Sequence, residues 1–248
     1  MKQKPINIKN ENKDYEEIMK DIRRWKDSWD KLFVIEKLIK NGYNNYEEIM
    51  KEIKTWKDSW DKHFVLVELI ENGYNNYEEI MKEIKTWTSS WDKQFVVLEL
   101  IKNGYTDYGE IMKEIKTWPS SRHKQSVVEK IIKNGSTDYE EFMKEIKTWP
   151  SSWDKLFVIE KLIKNGYTDY EEIMKEIKTW KSSYDRSFIT DSLKKSEIKL
   201  DLSKRKPTNL NSYRLYLEYL GIDTSNINFT CRECDFSKKN SNVKVKIK

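Results

Sequence analysis

The sequence predicts a mainly α fold: a right-handed α-solenoid of six helical-hairpin repeats with a small C-terminal α+β cap. Three observations predict it. The stretch NGYNNYEEIMKEIKTW begins at Asn41 and again at Asn72, with variants at Asn103, Asn134 and Asn165 and a degenerate copy from Asn10. One pattern therefore recurs every 31 residues through residues 10–195. Within each copy the apolar residues twice fall at helical spacing. A lone hairpin of this kind cannot bury its aromatic stripe, so neighbouring copies have to stack.

In the copy that starts at Asn41, residues Tyr46, Ile49, Met50, Ile53 and Trp56 share one face of a first helix. Glu47 and Lys51 add an i, i+4 pair on its wet side. Asn44 ahead of Glu47, and Thr137 ahead of Glu140, read as capping boxes. The chain breaks briefly after Trp56, and Pro119 and Pro150 stand at this break in two copies. A second helix opens on another box-like pair, Asp58 with Asp61 or Ser89 with Asp92. Its apolar residues Trp60, Phe64, Val65, Leu66, Leu69 and Ile70 cover the wide arc of a helix packed between neighbours. Both Trp56 and Trp60 are accordingly expected in the core, closing the hairpin. Gly73 follows Asn72 and supplies the left-handed residue that ends the helix.

Over residues 10–195 this pattern resembles the broad class of helical-hairpin repeats that includes tetratricopeptide, pentatricopeptide and HEAT arrays. The resemblance implies stacked hairpins. The period is shorter than the roughly 34 residues of a tetratricopeptide unit. Alanine, which those units place where helices approach closely, is absent from the whole chain. The likeness is to the class and no specific family, so it assigns no binding residues.

Hydrophobic residues make up 37% of the 248 and charged residues 36%, the balance of a polar, soluble chain. No apolar run is long enough to span a membrane. The opening Met-Lys-Gln-Lys-Pro leads into no apolar core, so no secretory signal is predicted. Two cysteines cannot staple a chain of this length, and a reducing, cytoplasmic setting is expected. The net charge of +5 sits at the ends. Residues 1–9 form a basic tail, residues 196–208 a basic linker or edge strand holding Lys204, Arg205 and Lys206, and residues 209–248 a small α+β module. In that module Leu210–Leu220 reads as a helix stopped by Gly221, and INFTC and NVKVKIK read as strands.

The fourth copy departs from its siblings. Where they read Trp-Asp-Lys and Phe, it has Arg122, His123, Lys124 and Ser126, and Gly109 stands where a glutamate is usual. If Trp60 and Phe64 are core residues, their loss here should cost about 3–5 kcal/mol each. The substitutions read either as drift or as a groove or hinge lined by Arg122, His123, Lys124, Ser126 and Lys130. This copy carries 6 basic against 4 acidic residues, a local positive patch suited to an acidic protein surface or a phosphate. Lys244 and Lys246 lie on one face of the last strand-like run, solvated or against phosphates. Cys231 and Cys234 form half of a zinc-ribbon pattern, and a closed zinc site needs two further ligands. No cofactor is expected otherwise.

Two histidines 60 residues apart, no glycine-rich phosphate loop and no nucleophile motif give catalysis little to work with. The expected function is a non-catalytic scaffold that grips a protein partner on its concave surface. The series Leu32, His63, Gln94, Gln125, Leu156 and Ser187 at one second-helix position reads as an exposed, variable contact surface. High identity between copies and an AT-rich coding bias suit a recently amplified protein of a phage or mobile element, for instance an inhibitor that covers a host or defence enzyme. The alternative is an RNA- or single-stranded-DNA-binding repeat protein that uses the basic C-terminal module and the fourth copy. No small-molecule substrate and no membrane partner are expected.

Overall fold

The computed structural model describes residues 15–167, 169–195, 227–228 and 246–247. Over these residues the protein is mainly helical, and its helices pack in regular pairs. In chain order the pairs are α1 (Tyr15–Arg23) with α2 (Ser28–Lys40), α3 (Tyr46–Ile53) with α4 (Ser59–Glu71), and α5 (Tyr77–Lys85) with α6 (Ser90–Lys102). Then follow α7 (Tyr108–Lys116) with α8 (Ser121–Lys133), α9 (Tyr139–Lys147) with α10 (Ser152–Lys164), and α11 (Tyr170–Lys178) with α12 (Ser183–Lys195). The chain divides into two compact units, Met1–Val127 and Val128–Lys248. Two short strands, β1 (Ile227–Asn228) and β2 (Lys246–Ile247), pair antiparallel with Ile227 opposite Ile247. The tail 1–9, the linker with Lys204, Arg205 and Lys206, the Leu210–Leu220 segment, Cys231, Cys234, Lys244 and the Lys246 side chain lie outside the described residues.

The first helices are capped one residue later than the sequence pattern suggests. Asn45 accepts from the Glu48 N–H, and Asp138, not Thr137, accepts from the Glu141 N–H. The side chain immediately before the first helical residue has the reach to meet the free N–H of the first turn. The second helices start as expected, with Asp58 accepting from Trp60 N–H and Ser89 from Asp92 N–H. They end in a left-handed glycine. Gly73 has φ +95°, its N–H donates to Ile70 O, and the Tyr74 N–H reaches back to Leu69 O.

In the first unit, the Tyr46 hydroxyl at the start of α3 donates to Asn72 O at the end of α4 (2.8 Å), and Tyr77 does the same to Asn103 O. Each pair is therefore antiparallel. The second helices α2, α4 and α6 lie side by side. Ser28 and Ser59 donate to Asp61 and Asp92 at their N-terminal ends. Lys40 meets Glu68 and Lys102 meets Glu71 at the other end, so these helices run in one direction.

Aliphatic residues such as Ile49, Ile53, Leu66 and Leu69 are fully buried between the layers. Charged groups share that interior. Lys31, Lys62 and Lys93 pair with Glu52, Glu83 and Glu114 of the following first helix at 2.6–2.7 Å. Each carboxylate also accepts from the indole four residues on, Trp56, Trp87 or Trp118, at 3.0–3.1 Å. The second unit repeats the arrangement with Lys155, Glu176 and Trp180. The Trp56 series is thus core, as predicted, and its buried N–H is satisfied.

The Trp60 series is not core. Trp29, Trp60, Trp91 and Trp153 stand 40–45% exposed. The inward arc at the start of α4 is filled by Asp61, Lys62 and His63, which turns Trp60 and Phe64 outward. A lysine stem packs as hydrocarbon once its ammonium has a buried carboxylate to meet, and that possibility makes an apolar-only reading of the helix face fail. It also removes the expected penalty in the fourth copy: Arg122 and Ser126 occupy the outward register, so no core cavity is created there.

Candidate functional site

The feature that stands out on the first unit is an exposed aromatic face across α2, α4 and α6. Each second helix contributes a tryptophan and, one turn on, a phenylalanine that meet edge to face. The ring centroids are 5.0 Å apart in Trp29–Phe33 and 5.3 Å in both Trp60–Phe64 and Trp91–Phe95. With whole side chains of about 200–250 Å², the 45%, 47%, 41% and 45% exposure of Trp29, Phe33, Trp60 and Trp91 leaves about 400 Å² of aromatic surface in water. Patches of several hundred Å² on a folded chain mark contact surfaces more often than chance exposure. Val67 and Leu98 extend the half-buried apolar strip along α4 and α6. The indole N–H groups of Trp29, Trp60 and Trp91 have no hydrogen-bond acceptor among the described residues.

Beyond this strip the charges are mixed and tied together. Lys40 pairs with Glu68, and Lys102 with both Glu71 and Glu99. In the second unit, Trp153 packs on Phe157 at 5.1 Å and on Phe188 of α12 at 5.3 Å, with Tyr184 67% exposed beside them.

Beneath the strip lies His63, buried, with its ring 4.0 Å from Phe64 and 5.2 Å from Phe95. Burial holds the imidazole below its ordinary pKa, opposed in part by the Asp92 carboxylate. The Oε1 of Gln94, at the same register on α6, is buried with no hydrogen-bond partner among the described residues, as is His63 Nδ1. The series expected to be an exposed variable surface is divided: Leu32, His63 and Leu156 are 0–4% exposed, Gln94 and Gln125 half-buried, and Ser187 exposed. It varies because the seam between second helices accepts several shapes.

The fourth-copy residues separate. Arg122 is exposed on α8, and the Ser126 hydroxyl donates to Arg122 O at 3.3 Å. Lys124 is buried, and its ammonium donates to Lys116 O at 3.2 Å. His123 Nδ1 lies 2.8 Å from the Ser90 hydroxyl, in the place where Asp61 and Asp92 meet Ser28 and Ser59, and its ring is 5.3 Å from Trp91. The histidine thus preserves the inter-helix contact that the aspartate makes elsewhere. Its N–H also keeps a cap, Ser120 Oγ at 3.4 Å, because that bond uses backbone and not the lost carboxylate. Lys130 lies half-buried further along α8, in the second unit. Among the described residues no cluster of histidine, cysteine and carboxylate side chains could hold a metal ion, and no helix is long and apolar enough to cross a membrane.

The first helices carry a second repeated polar group. Lys54 and Lys85 pair with Glu79 and Glu110, and Tyr74 and Tyr105 donate to the same carboxylates. The Lys85 hydrogen bond holds Glu110 below the usual carboxylate range, while burial and the bond to Glu110 push the Tyr105 phenol well up. In the second unit the corresponding Tyr167 and Glu172 border an open hollow of about 330 Å³ with Tyr139 and Lys144. Its carboxylate is already engaged by Tyr167 and Lys147.

No family model, curated protein or solved structure matches the chain.

Proposed function

We propose that the chain is a non-catalytic helical-repeat binding protein that holds a protein partner against the aromatic face of its second helices. The finer architecture belongs to the same proposal: six 31-residue hairpins followed by a C-terminal α+β module. The observation that carries it is the row of Trp-Phe pairs on α2, α4 and α6, in which Trp29, Phe33, Trp60 and Trp91 are exposed and Phe64 and Phe95 half-buried. Protein interfaces are built around tryptophan, tyrosine and arginine anchors with a polar rim. A nucleic-acid surface would instead need an excess of cations beside the rings to neutralise phosphates, and here Lys26 and Lys57 are matched along the chain by Asp27, Asp30 and Asp58. The buried carboxylates and lysines serve packing, which supports a non-catalytic reading.

The test is affinity purification of the full chain from its native cell, with and without nuclease, in parallel with a Trp29→Ala/Trp60→Ala/Trp91→Ala variant. The reading expects a stoichiometric protein partner that survives nuclease and disappears with the variant. Capture that depends on intact nucleic acid and ignores the tryptophans would replace it with the nucleic-acid reading.

A further inference from the structure

The second helices α2, α4, α6, α8 and α10 each stop on the dipeptide Asn-Gly, at residues 41–42, 72–73, 103–104, 134–135 and 165–166. The geometry of the stop uses both residues. The glycines stand at φ +91° to +101°, where any side chain is strained. The asparagine amides satisfy a carbonyl of the last helical turn, which the helix itself leaves without a donor. Asn41 donates to Lys37 O at 2.7 Å, Asn72 to Glu68 O at 2.7 Å, Asn103 to Glu99 O at 3.0 Å and Asn165 to Lys161 O at 2.8 Å.

The same dipeptide is chemically labile, because glycine has no side chain to keep its nitrogen away from the asparagine amide. The glycine nitrogen attacks the asparagine Cγ, its proton leaves with Nδ2 as ammonia, and a succinimide ring closes. Water then opens the ring at either carbonyl, leaving aspartate or isoaspartate. The folded stop opposes the first step in three ways. At ψ 3° to 16° the glycine nitrogen nearly eclipses the asparagine's own nitrogen and is turned away from the side chain. The glycine N–H is held by the carbonyl of Ile39, Ile70, Ile101, Ile132 or Ile163 at 2.9–3.3 Å. The amide that must leave is itself hydrogen-bonded in four of the stops. Burial is not what protects them: Asn41, Asn72, Asn103 and Asn134 are exposed, and the space beside the glycine that follows each is open.

We propose that the five Asn-Gly stops are deamidation sites which backbone conformation keeps closed in the folded hairpins and local unfolding opens. The change is one-way. Aspartate has no N–H for the helix carbonyl and puts a negative charge at the negative end of the helix. Isoaspartate lengthens the main chain by one atom, so the glycine N–H and the one after it lose their register with the helix. A hairpin that stays open long enough therefore cannot close on the same stop. The stops also differ in strength. Glu68 and Glu99 Oε1 hold the amides of Asn72 and Asn103 a second time, at 3.0 and 2.6 Å, where α2 and α10 carry Lys37 and Lys161. Asn41 and Asn165 therefore react before Asn72 and Asn103. None of this depends on what the aromatic face binds.

The experiment incubates the full chain in mildly alkaline buffer, with and without unfolding concentrations of urea, and maps the deamidated peptides by mass spectrometry. In urea all five stops should react at similar rates. In the folded chain each should react at least about tenfold more slowly, because only the locally opened fraction is reactive, with Asn41 and Asn165 ahead of Asn72 and Asn103. Equal rates in the two conditions, or no reaction in urea, overturn the proposal. Any other order among the folded stops overturns the part given to Glu68 and Glu99. Asn72→Asp, which is the reaction product itself, should lower the urea midpoint, and an unchanged midpoint overturns the claim that the modification weakens the stop.

Discussion

Replacing Glu83 by alanine tests what holds the helix pairs together. The Glu83 carboxylate is buried between the Lys62 ammonium, 2.7 Å away, and the Trp87 indole N–H, 3.1 Å away. Both charged side chains are 7% exposed, so neither reaches bulk water without disturbing the packing. Truncation strands a buried ammonium and a buried N–H together, a change worth about 3–5 kcal/mol. For a chain of this size a 1 kcal/mol loss lowers the midpoint by about 2–4 °C, giving a fall of roughly 6–20 °C. Urea unfolding of the full chain followed by far-ultraviolet circular dichroism measures the free energy, and an unchanged slope shows that the unfolding unit is the same. The loss should barely respond to salt, because ions do not screen a pair that water does not reach. The double variant Lys62→Met/Glu83→Gln should recover most of it, since glutamine still accepts from Trp87 and no charge is stranded. A Glu83→Ala loss below about 1 kcal/mol would refute the reasoning, placing the pair among surface ion pairs of little consequence.

Three further outcomes follow from the same geometry. His63 is held below its ordinary pKa by burial, so the unfolded chain binds its proton more readily; the stability it supports is present above about pH 6.5 and is lost as pH falls through the lower folded value. His63→Leu, the residue that α2 and α10 carry at this register, should remove that acid sensitivity in a pH series of urea midpoints. Gly109 lies in the first turn of α7 with only Asp107 Oδ1 near the place of a Cβ, at 3.5 Å, so Gly109→Ala should stabilise by up to about 1 kcal/mol; a destabilisation would show that the flexible residue is required there. Arg122 and Ser126 occupy the outward register, so Arg122→Trp with Ser126→Phe should lengthen the aromatic face by one step without lowering the thermal midpoint; a lower midpoint would show that these positions are packed.

The sequence made the period, the paired helices, the glycine stops and the Trp56 series legible, because each rests on a local rule of spacing or backbone conformation. It misplaced Trp60 and Phe64 because aromatic residues at helical spacing count as core when only apolarity is scored. A basic residue, Lys31, Lys62, Lys93, Lys124, Lys155 or Arg186, stands two residues on at one register, and an acidic one, Asp21, Glu52, Glu83, Glu114, Glu145 or Glu176, at another. Recurrence alone does not single them out, because Lys51, Lys82, Lys113 and Lys144 recur as regularly and are exposed; the ion pairs between facing helices do. The cap positions were missed by one residue for a smaller reason: Asn44 and Asn45 carry the same side chain, and only the backbone start of α3 decides which one reaches Glu48. The role of His123 depended on Ser90 lying across the helix seam, which no spacing along the chain announces.

α8 also separates two explanations for the exposed rings. If the Trp-Phe pair were needed for folding, the copy that lacks it would show a compensating core substitution. Instead, Val127, Val128, Ile131 and Ile132 are buried as their counterparts are, and His123 keeps the serine contact. The fold therefore accepts Arg122 and Ser126 at no visible loss. Exposed tryptophans invite self-association, so a fold that can do without them has no reason to keep Trp29, Trp60, Trp91 and Trp153, with Tyr184 at the same register, unless the surface they make is used. Amplification alone would copy them once, but it would not hold both rings of each pair while Leu32, His63 and Gln94 diverged on the same turn. The outward register keeps an aromatic ring in every copy but the fourth, whereas the neighbouring register runs Leu32, His63, Gln94, Gln125, Leu156 and Ser187, and that contrast supports the proposed binding face on the water-facing side of the second helices.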